Sequence, residues 1–586
     1  MGYSGKSNPL TRGGLCSGIV LGVVSMGAVA AHADSIDVGD PDWAVRWDNN
    51  VKYSNAFRVA PQNSAVSGNA MPYNSNTNDG DRNFKRGLIS NRIDLLSEMD
   101  IVYQENTGLR VSAAAWYDSV YNGNTANTTP NSSNNIYEGS DRFPKGTKTL
   151  NGKDVELMDA LVFHKFELPD DQTLTLRAGR FAQIYGETLF MGANGIAAAQ
   201  GPVDAIKAAS VPNSQFKEIM RPVGQVATNW QTGSVMLGAY YQFEYRPDRL
   251  PGVGSYFSVS DAVGPGAEAG FMPGSLPGNP AGSDLYFSRG KDMLPNSQGQ
   301  GGVEVRWKAL GNWEFGLYAA NYHEKGPATI YAMPSGGAAF TTFADGLTGR
   351  NIGTYRAVYN QNVQTYGGSF ATVIGDTNIS GELSVRHNQS LATAQDVGGG
   401  LVVTDASRNN SNNIAYLTGN TVHANISAIS ILPDNGVWDT AAVTAEIGAN
   451  HLIGITDRGQ AAANANGLFL NPTSTHTAVA GRVVIEPSFF QVMPNVDVTT
   501  PLGVGYGFYG HSALGSHLGA FNNEGCSDIS IGIKAVYQKV WHASLTYTTF
   551  LGPKGQGTTQ DANRYLSYKQ DLYDRDFVSF SLSRAF

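Results

Sequence analysis

Three stretches of the chain space their residues as chemistry would require. His542-Ala543-Ser544 sets an imidazole two residues from a hydroxyl, the base and nucleophile that ester hydrolysis needs. Gly505-x-Gly507-x-x-Gly510 has the glycine spacing that brings a phosphate against backbone N–H groups. Asn74 to Gly80 alternates oxygen-bearing side chains like the opening of a calcium loop. Each fails on its surroundings. The glycines alternate with Val504, Tyr506 and Phe508 as in a strand, and no βαβ unit encloses them. No frame supplies the calcium loop's closing glutamate. The neighbours of His542 and Ser544 (Trp541, Ala543, Leu545, Tyr547) form an apolar face that turns the pair away from any bilayer substrate. We therefore expect no catalytic residue, no cofactor and no metal, and read the chain as a non-enzyme.

A fourth pattern runs the length of the chain. Arg46, Arg58, Arg92, Arg110, Arg177, Arg306, Lys308 and Arg386, with Asp94, Glu98, Glu304 and Glu382, all alternate with apolar residues at a period of two. Opposed charges on the inner wall of a pore create a transverse field that sorts solutes by charge and dipole.

Alternation demands strands. Trp43, Val45, Trp47, Val51, Tyr53, Phe57 and Val59 oppose Asp42, Arg46, Asp48, Lys52 and Arg58, giving a strand with one greasy and one wet face. Ile89 to Tyr103 and Leu109 to Tyr121 repeat the pattern around a turn at Gln104–Gly108. Seven further turns fall at 169–171, 231–233, 310–312, 375–378, 433–436, 493–495 and near 538–539. Long Gly-, Asn-, Ser- and Pro-rich stretches occupy 60–87, 122–153, 187–222, 247–299, 324–361, 390–416, 453–475, 510–527 and 552–574. Eight short turns and nine long loops separate eighteen strands, an all-β transmembrane antiparallel barrel with short periplasmic turns and long extracellular loops. Trp43, Trp230, Trp307, Trp313, Trp438 and Trp541 fall near the short-turn ends, where an aromatic girdle belongs.

The ends of the chain fit this reading. Lys6 and Arg12, the apolar run Gly14 to Ala30 and the Ala31-His32-Ala33 site mark residues 1–33 as a cleaved signal peptide before a barrel over 34–586. Cys16 lacks a lipobox, which leaves Cys526 as the mature chain's one cysteine. The last strand, DFVSFSLSRAF, offers Phe580, Leu582 and Phe586 as an assembly signal. Removing Lys6 and Arg12 takes the net charge from -9 to -11, which excludes nucleic acid as a partner. Past the leader no apolar run reaches the ~18 residues of a helical span. The partners expected are outer-membrane lipid, the barrel assembly machinery, a small organic solute, and a periplasmic or lipoprotein partner.

An eighteen-stranded lumen is too wide for wall side chains to fill. The third long loop, at about 187–222, is the candidate constriction. Ile196, Val203, Ile206, Phe216, Ile219 and Met220 should leave bulk water, and folded inward they would form an apolar-lined narrowing.

DWAVRWDNNVKYSNAFRV (42–59), GANGIAAAQGPVDAIK with RPVGQV (221–226) and PGVGSYFSVSD (251–261) resemble a large proteobacterial family of outer-membrane proteins that carries only a domain-of-unknown-function label. The resemblance covers essentially the whole mature chain. It implies an association with growth on hydrophobic substrates such as lipids, sterols or sphingoid compounds, and passage of poorly soluble organic molecules; no set of functional residues comes with it. The expectation is an outer-membrane channel for passive passage of small hydrophobic or amphiphilic solutes. The alternatives are a receptor, adhesin or structural barrel using its long loops and, behind these, a lipid-modifying enzyme.

Overall fold

The computed structural model describes residues 34–68, 76–129, 132–271, 285–335, 351–395, 401–515, 521–559 and 565–586. The expected signal peptide and the start of the calcium-like stretch, Asn74 and Ser75, lie outside them. Alternating faces produce eighteen barrel strands among the described residues. They are β1 (Trp43–Arg58), β2 (Gly87–Tyr103), β3 (Thr107–Asp118), β4 (Lys153–Leu168), β5 (Gln172–Phe181) and β6 (Val223–Thr232). Next come β7 (Val235–Gln242), β8 (Gln300–Ala309), β9 (Trp313–Tyr322), β10 (Val363–Ile374), β11 (Thr377–Ser390) and β12 (Thr418–Leu432). β13 (Thr440–Ile455), β14 (Thr477–Met493), β15 (Val496–Thr499 and Leu502–Tyr509), β16 (Ser527–Tyr537), β17 (Trp541–Leu551) and β18 (Phe577–Ala585) complete the wall.

Each strand pairs antiparallel with the next, and β18 closes on β1 from Asn50↔Ala585 to Arg58↔Phe577. Closure leaves no unpaired edge to face hydrocarbon. Asp34–Ile36 pairs with Val45–Trp47 and continues the seam past the end of β18. The expected strand count and turn positions match these strands. One irregularity was not anticipated: β15 is interrupted at Thr500–Pro501, where proline has no N–H for the ladder.

The outward face carries the apolar half of each alternation. Leu317, Ile426, Ile447 and Ile531 are 56%, 61%, 56% and 55% exposed, a cost that lipid removes. At the short-turn ends Trp43 meets Tyr103 at 4.8 Å, and Phe315 lies between Trp307 and Trp313 at 5.7 and 6.0 Å, forming the girdle. Arg584, which shares the parity of Val578, Phe580, Leu582 and Phe586 on the last strand, stacks on Trp541 and Phe586 at 5.2 and 4.4 Å. Its guanidinium is thus accommodated on the aromatic rim.

The long loops are not loose. Three of them build a five-stranded sheet above the barrel from Ala269–Phe271, Tyr286–Arg289, Thr329–Pro334, Asn351–Val358 and Val402–Val403, packed around Phe287, Ile352 and Tyr355. Arg58, read from parity as lumenal, is buried under these loops. It pairs with Asp81 at 2.6 Å and Asp574 at 3.1 Å, tying the first and last long loops together.

Candidate permeation site

The third long loop leaves β5 at Phe181, enters the barrel and returns to β6 at Val223. It is fastened first to the lumenal faces of β11, β12 and β13. Glu382 accepts from the Glu187 and Ile196 N–H groups at 2.7 and 2.8 Å, and Glu446 accepts from Phe190 and Met191 N–H at 2.5 and 2.9 Å. Arg386 donates to the carbonyls of Ala193 and Gly195 at 3.0 and 2.8 Å. The Asn194 amide donates to Asn425 Oδ1 at 2.6 Å and accepts from Asn450 at 3.2 Å, with His423 Nδ1 3.0 Å away. These wall groups satisfy backbone polar atoms that would otherwise be buried without partners.

The GANG stretch is the docking segment. A Cβ on Gly195 would lie 2.2 Å from Glu382 Oε1, so only glycine lets the backbone come this close. Beyond it, Val203 N–H donates to Asp248 at 2.7 Å and Asp204 pairs with Arg249 at 2.9 Å. The loop then spans the lumen. Asn213 accepts from Arg482 on β14 at 3.1 Å and donates to Ser530 on β16 at 2.8 Å.

The loop therefore covers one side of the lumen and leaves the β1–β4 wall facing water. Arg46 and Arg110 on that wall keep 52% and 45% of their side chains exposed; Arg46 pairs with Asp48, and Arg110 with Asp100, both at 2.6 Å. Arg92 pairs with Asp94 at 2.7 Å and lies 5.0 Å from the Trp116 ring; Arg249 lies 5.3 Å from the same ring. Glu98 sits opposite Asp48 on the next strand. One carboxylate, Glu156, takes Arg221 and Arg246, both at 2.6 Å, together with Arg249. Just beyond the strand ends, Lys325 is buried with its ammonium on Gln300 and 5.0 Å from the Tyr245 ring; burial pushes it down to about 7. Burial likewise pushes Asp248 up to about 6.

Parity thus brings together Arg46, Arg92, Asp94, Glu98 and Arg110 on one wetted surface, but several other expected pore residues lie elsewhere. Glu382 and Arg386 are covered by the loop they hold. Arg306 pairs with Glu187 at 3.0 Å and with Glu314, and Glu304 is buried beside it. Arg177 stacks on Phe181 at 4.9 Å and donates to Gln183 at 3.0 Å. Lys308 is exposed at the short-turn end of β8.

The apolar loop residues also differ from expectation. Val203, Phe216, Ile219 and Met220 pack on Ala197 as a small core within the loop, and Ile196 packs on Phe181, Tyr185 and Tyr240 of the wall and loop root. Ile206 is half-buried. These side chains hold the loop together instead of lining an opening, because apolar groups facing a wet lumen would forfeit the burial that folds the loop. Glu187, Asn194, His423, Asn425, Glu446 and Asn450 were missed as anchors. On β12 and β13 the same alternation that revealed Arg386 marks His423, Asn425, Glu446 and Asn450 as lumenal, whereas Glu187 and Asn194 lie in the loop, where no alternation marks them.

Residues of the three motifs make the following contacts. Ser544 Oγ bonds Ser581 Oγ at 2.8 Å. A Cβ on Gly507 would come 1.9 Å from Asn523 O, so this glycine admits a neighbouring loop. Asp79 and Asp261 are buried together, with Asp261 accepting from Asn78 N–H at 2.8 Å, and no metal-binding cluster occurs among the described residues.

Fold, lipid-facing exterior and inward loop define an outer-membrane β-barrel. The chain belongs to the family described as proteins of unknown function DUF1302, whose model matches residues 13–586. No curated protein matches it. Among solved structures it is similar to OccAB2 of Acinetobacter baumannii, at 9% identity over 92% of this chain and 98% of that one, with TM-score 0.39. It is also similar to OccK2 of Pseudomonas aeruginosa in complex with glucuronate (9%, 92% and 98%, TM-score 0.37) and to the channel DcaP of A. baumannii (9%, 93% and 97%, TM-score 0.35).

Proposed function

We propose that this barrel is a passive outer-membrane channel for small organic solutes, hydrophobic or amphiphilic ones included, and not an enzyme. The observation that supports it is the one-sided placement of the third loop, which leaves a charged wall at β1–β4 open to water. Solutes would cross between that wall and the loop, the charges sorting them by sign and dipole. A receptor or adhesin reading draws on the five-stranded extracellular sheet, which gives the loops a rigid outer surface. Conductance separates the two. Purified, folded protein in a planar bilayer should pass current, and silence even after deletion of residues 190–220 would rule out the channel.

A further inference from the structure

Resting on the channel reading, we propose that Lys52 of β1 and Lys207 of the loop, backed by Arg92 and Arg249, form a carboxylate-binding site for monocarboxylic solutes where the loop faces the β1–β3 wall.

Register sets the wall out in rows. Lys52 lies opposite Asp94, and Asp94 opposite Trp116. Arg92 and Arg249 sit within 5.0 and 5.3 Å of that ring. Lys207, on the helix Ala205–Ser210, donates its backbone N–H to Asp204 at 3.0 Å, and Asp204 pairs with Arg249 at 2.9 Å, which sets the helix beside this cluster with Lys207 in electrostatic reach of Lys52. Arg92 is neutralised by Asp94, whereas Arg180, Arg221, Arg246 and Arg249 share Glu156, Asp204 and Glu244, leaving one positive charge. Neither lysine adds an ion pair among the described residues, and Lys207 donates to the Glu218 carbonyl at 2.8 Å. The Glu218 carboxylate caps its own helix by accepting from Gln215 N–H at 3.3 Å. Seven cations against five carboxylates, Glu218 included, leave a surplus of two. Like charges held this close want a bridging anion, and a carboxylate is one that two ammonium groups can grip together.

The deeper rows narrow the ligand class. One row down stand Leu96 and Ala114, opposite each other. The row after that holds Asp48, Glu98 and Ser112, with Asp159 accepting from Ser112 at 3.2 Å. At about 3.3 Å per residue the acidic row lies ~13 Å along the strand from Lys52. A solute gripped by its carboxylate lays its apolar body over Leu96 and Ala114 and points its far end at Glu98 and Asp159, beside an Asp48 that Arg46 already pairs with. A second negative charge there is repelled, so monocarboxylates should bind better than dicarboxylates of equal length.

The test is calorimetric titration of the full-length protein in detergent with hexanoate, adipate and hexylammonium, alongside block of bilayer current by the same compounds. Hexanoate should bind most tightly. The K52A/K207A variant should weaken it at least tenfold while K52R/K207R retains it, and heat-modifiable gel mobility checks that each variant is folded. Equal hexanoate affinity in wild type and K52A/K207A, or adipate or hexylammonium binding as tightly, would overturn the site. Lysine-dependent hexanoate binding by a barrel that passes no current would uphold the site and overturn the channel.

Discussion

Replacing both Glu382 and Glu446 by alanine should loosen the docked stretch of the inward loop, residues 187–196, while leaving the barrel closed. Each carboxylate accepts two loop N–H groups at 2.5–2.9 Å. Hydrogen bonds to a carboxyl acceptor contribute about 0.5–3 kcal/mol each, depending on its charge, so each anchor supplies roughly 1–6 kcal/mol and its loss also strands two buried donors. Arg386 on two carbonyls, the Asn194 cluster and the Arg306–Glu187 pair survive, so the loop loosens around 187–196 while its far end stays tied at Asp204 and Asn213. The wall does not depend on these groups, since its ladder is backbone to backbone from β1 to β18. The double variant should therefore keep its heat-modifiable mobility yet give larger and noisier single-channel currents. E446Q, which keeps the single oxygen that both N–H groups reach but not the carboxylate, should fall between. Unchanged conductance and noise in a folded E382A/E446A barrel would refute the docking account.

Removing Phe580–Phe586 takes away most of β18's pairing with β1 and β17. With each unpaired backbone group in hydrocarbon costing several kcal/mol, outer-membrane fractionation should find no assembled barrel. G195A places a methyl group 2.2 Å from Glu382 Oε1, and should reproduce part of the E382A noise without loss of folding. Stability against pH should have a shallow minimum between about 6 and 7. Lys325 falls from 10.5 to about 7 on folding, so the unfolded chain binds more protons between those values and stability rises with pH there. Asp248 rises from 3.8 to about 6, so the folded chain binds more protons between those values and stability rises as pH falls through that window. Thermal midpoints of mobility shift should flatten above pH 7 in K325M and below pH 6 in D248N, and limbs unchanged by either variant would remove both groups from the account.

The barrel was legible because lipid and water impose a period of two on every strand, and turn chemistry marks where each ends. Arg46, Arg92, Asp94, Glu98 and Arg110 could be assigned to the lumen by parity alone. Parity says which way a side chain points, however, and not what it meets there. Glu382 and Arg386 share the inward face with Arg46, yet only the path of a loop that leaves the wall some two hundred residues earlier decides that they meet backbone instead of water. The apolar loop residues were misplaced for a related reason. A burial requirement can be met by the lumenal wall or by the loop itself, and Val203 and Phe216 satisfy it locally, across a turn that carries no periodicity to read. A second trace of the docking is the glycine at 195: a Cβ there would lie 2.2 Å from Glu382 Oε1, so the absence of a side chain is what lets this stretch press against β11.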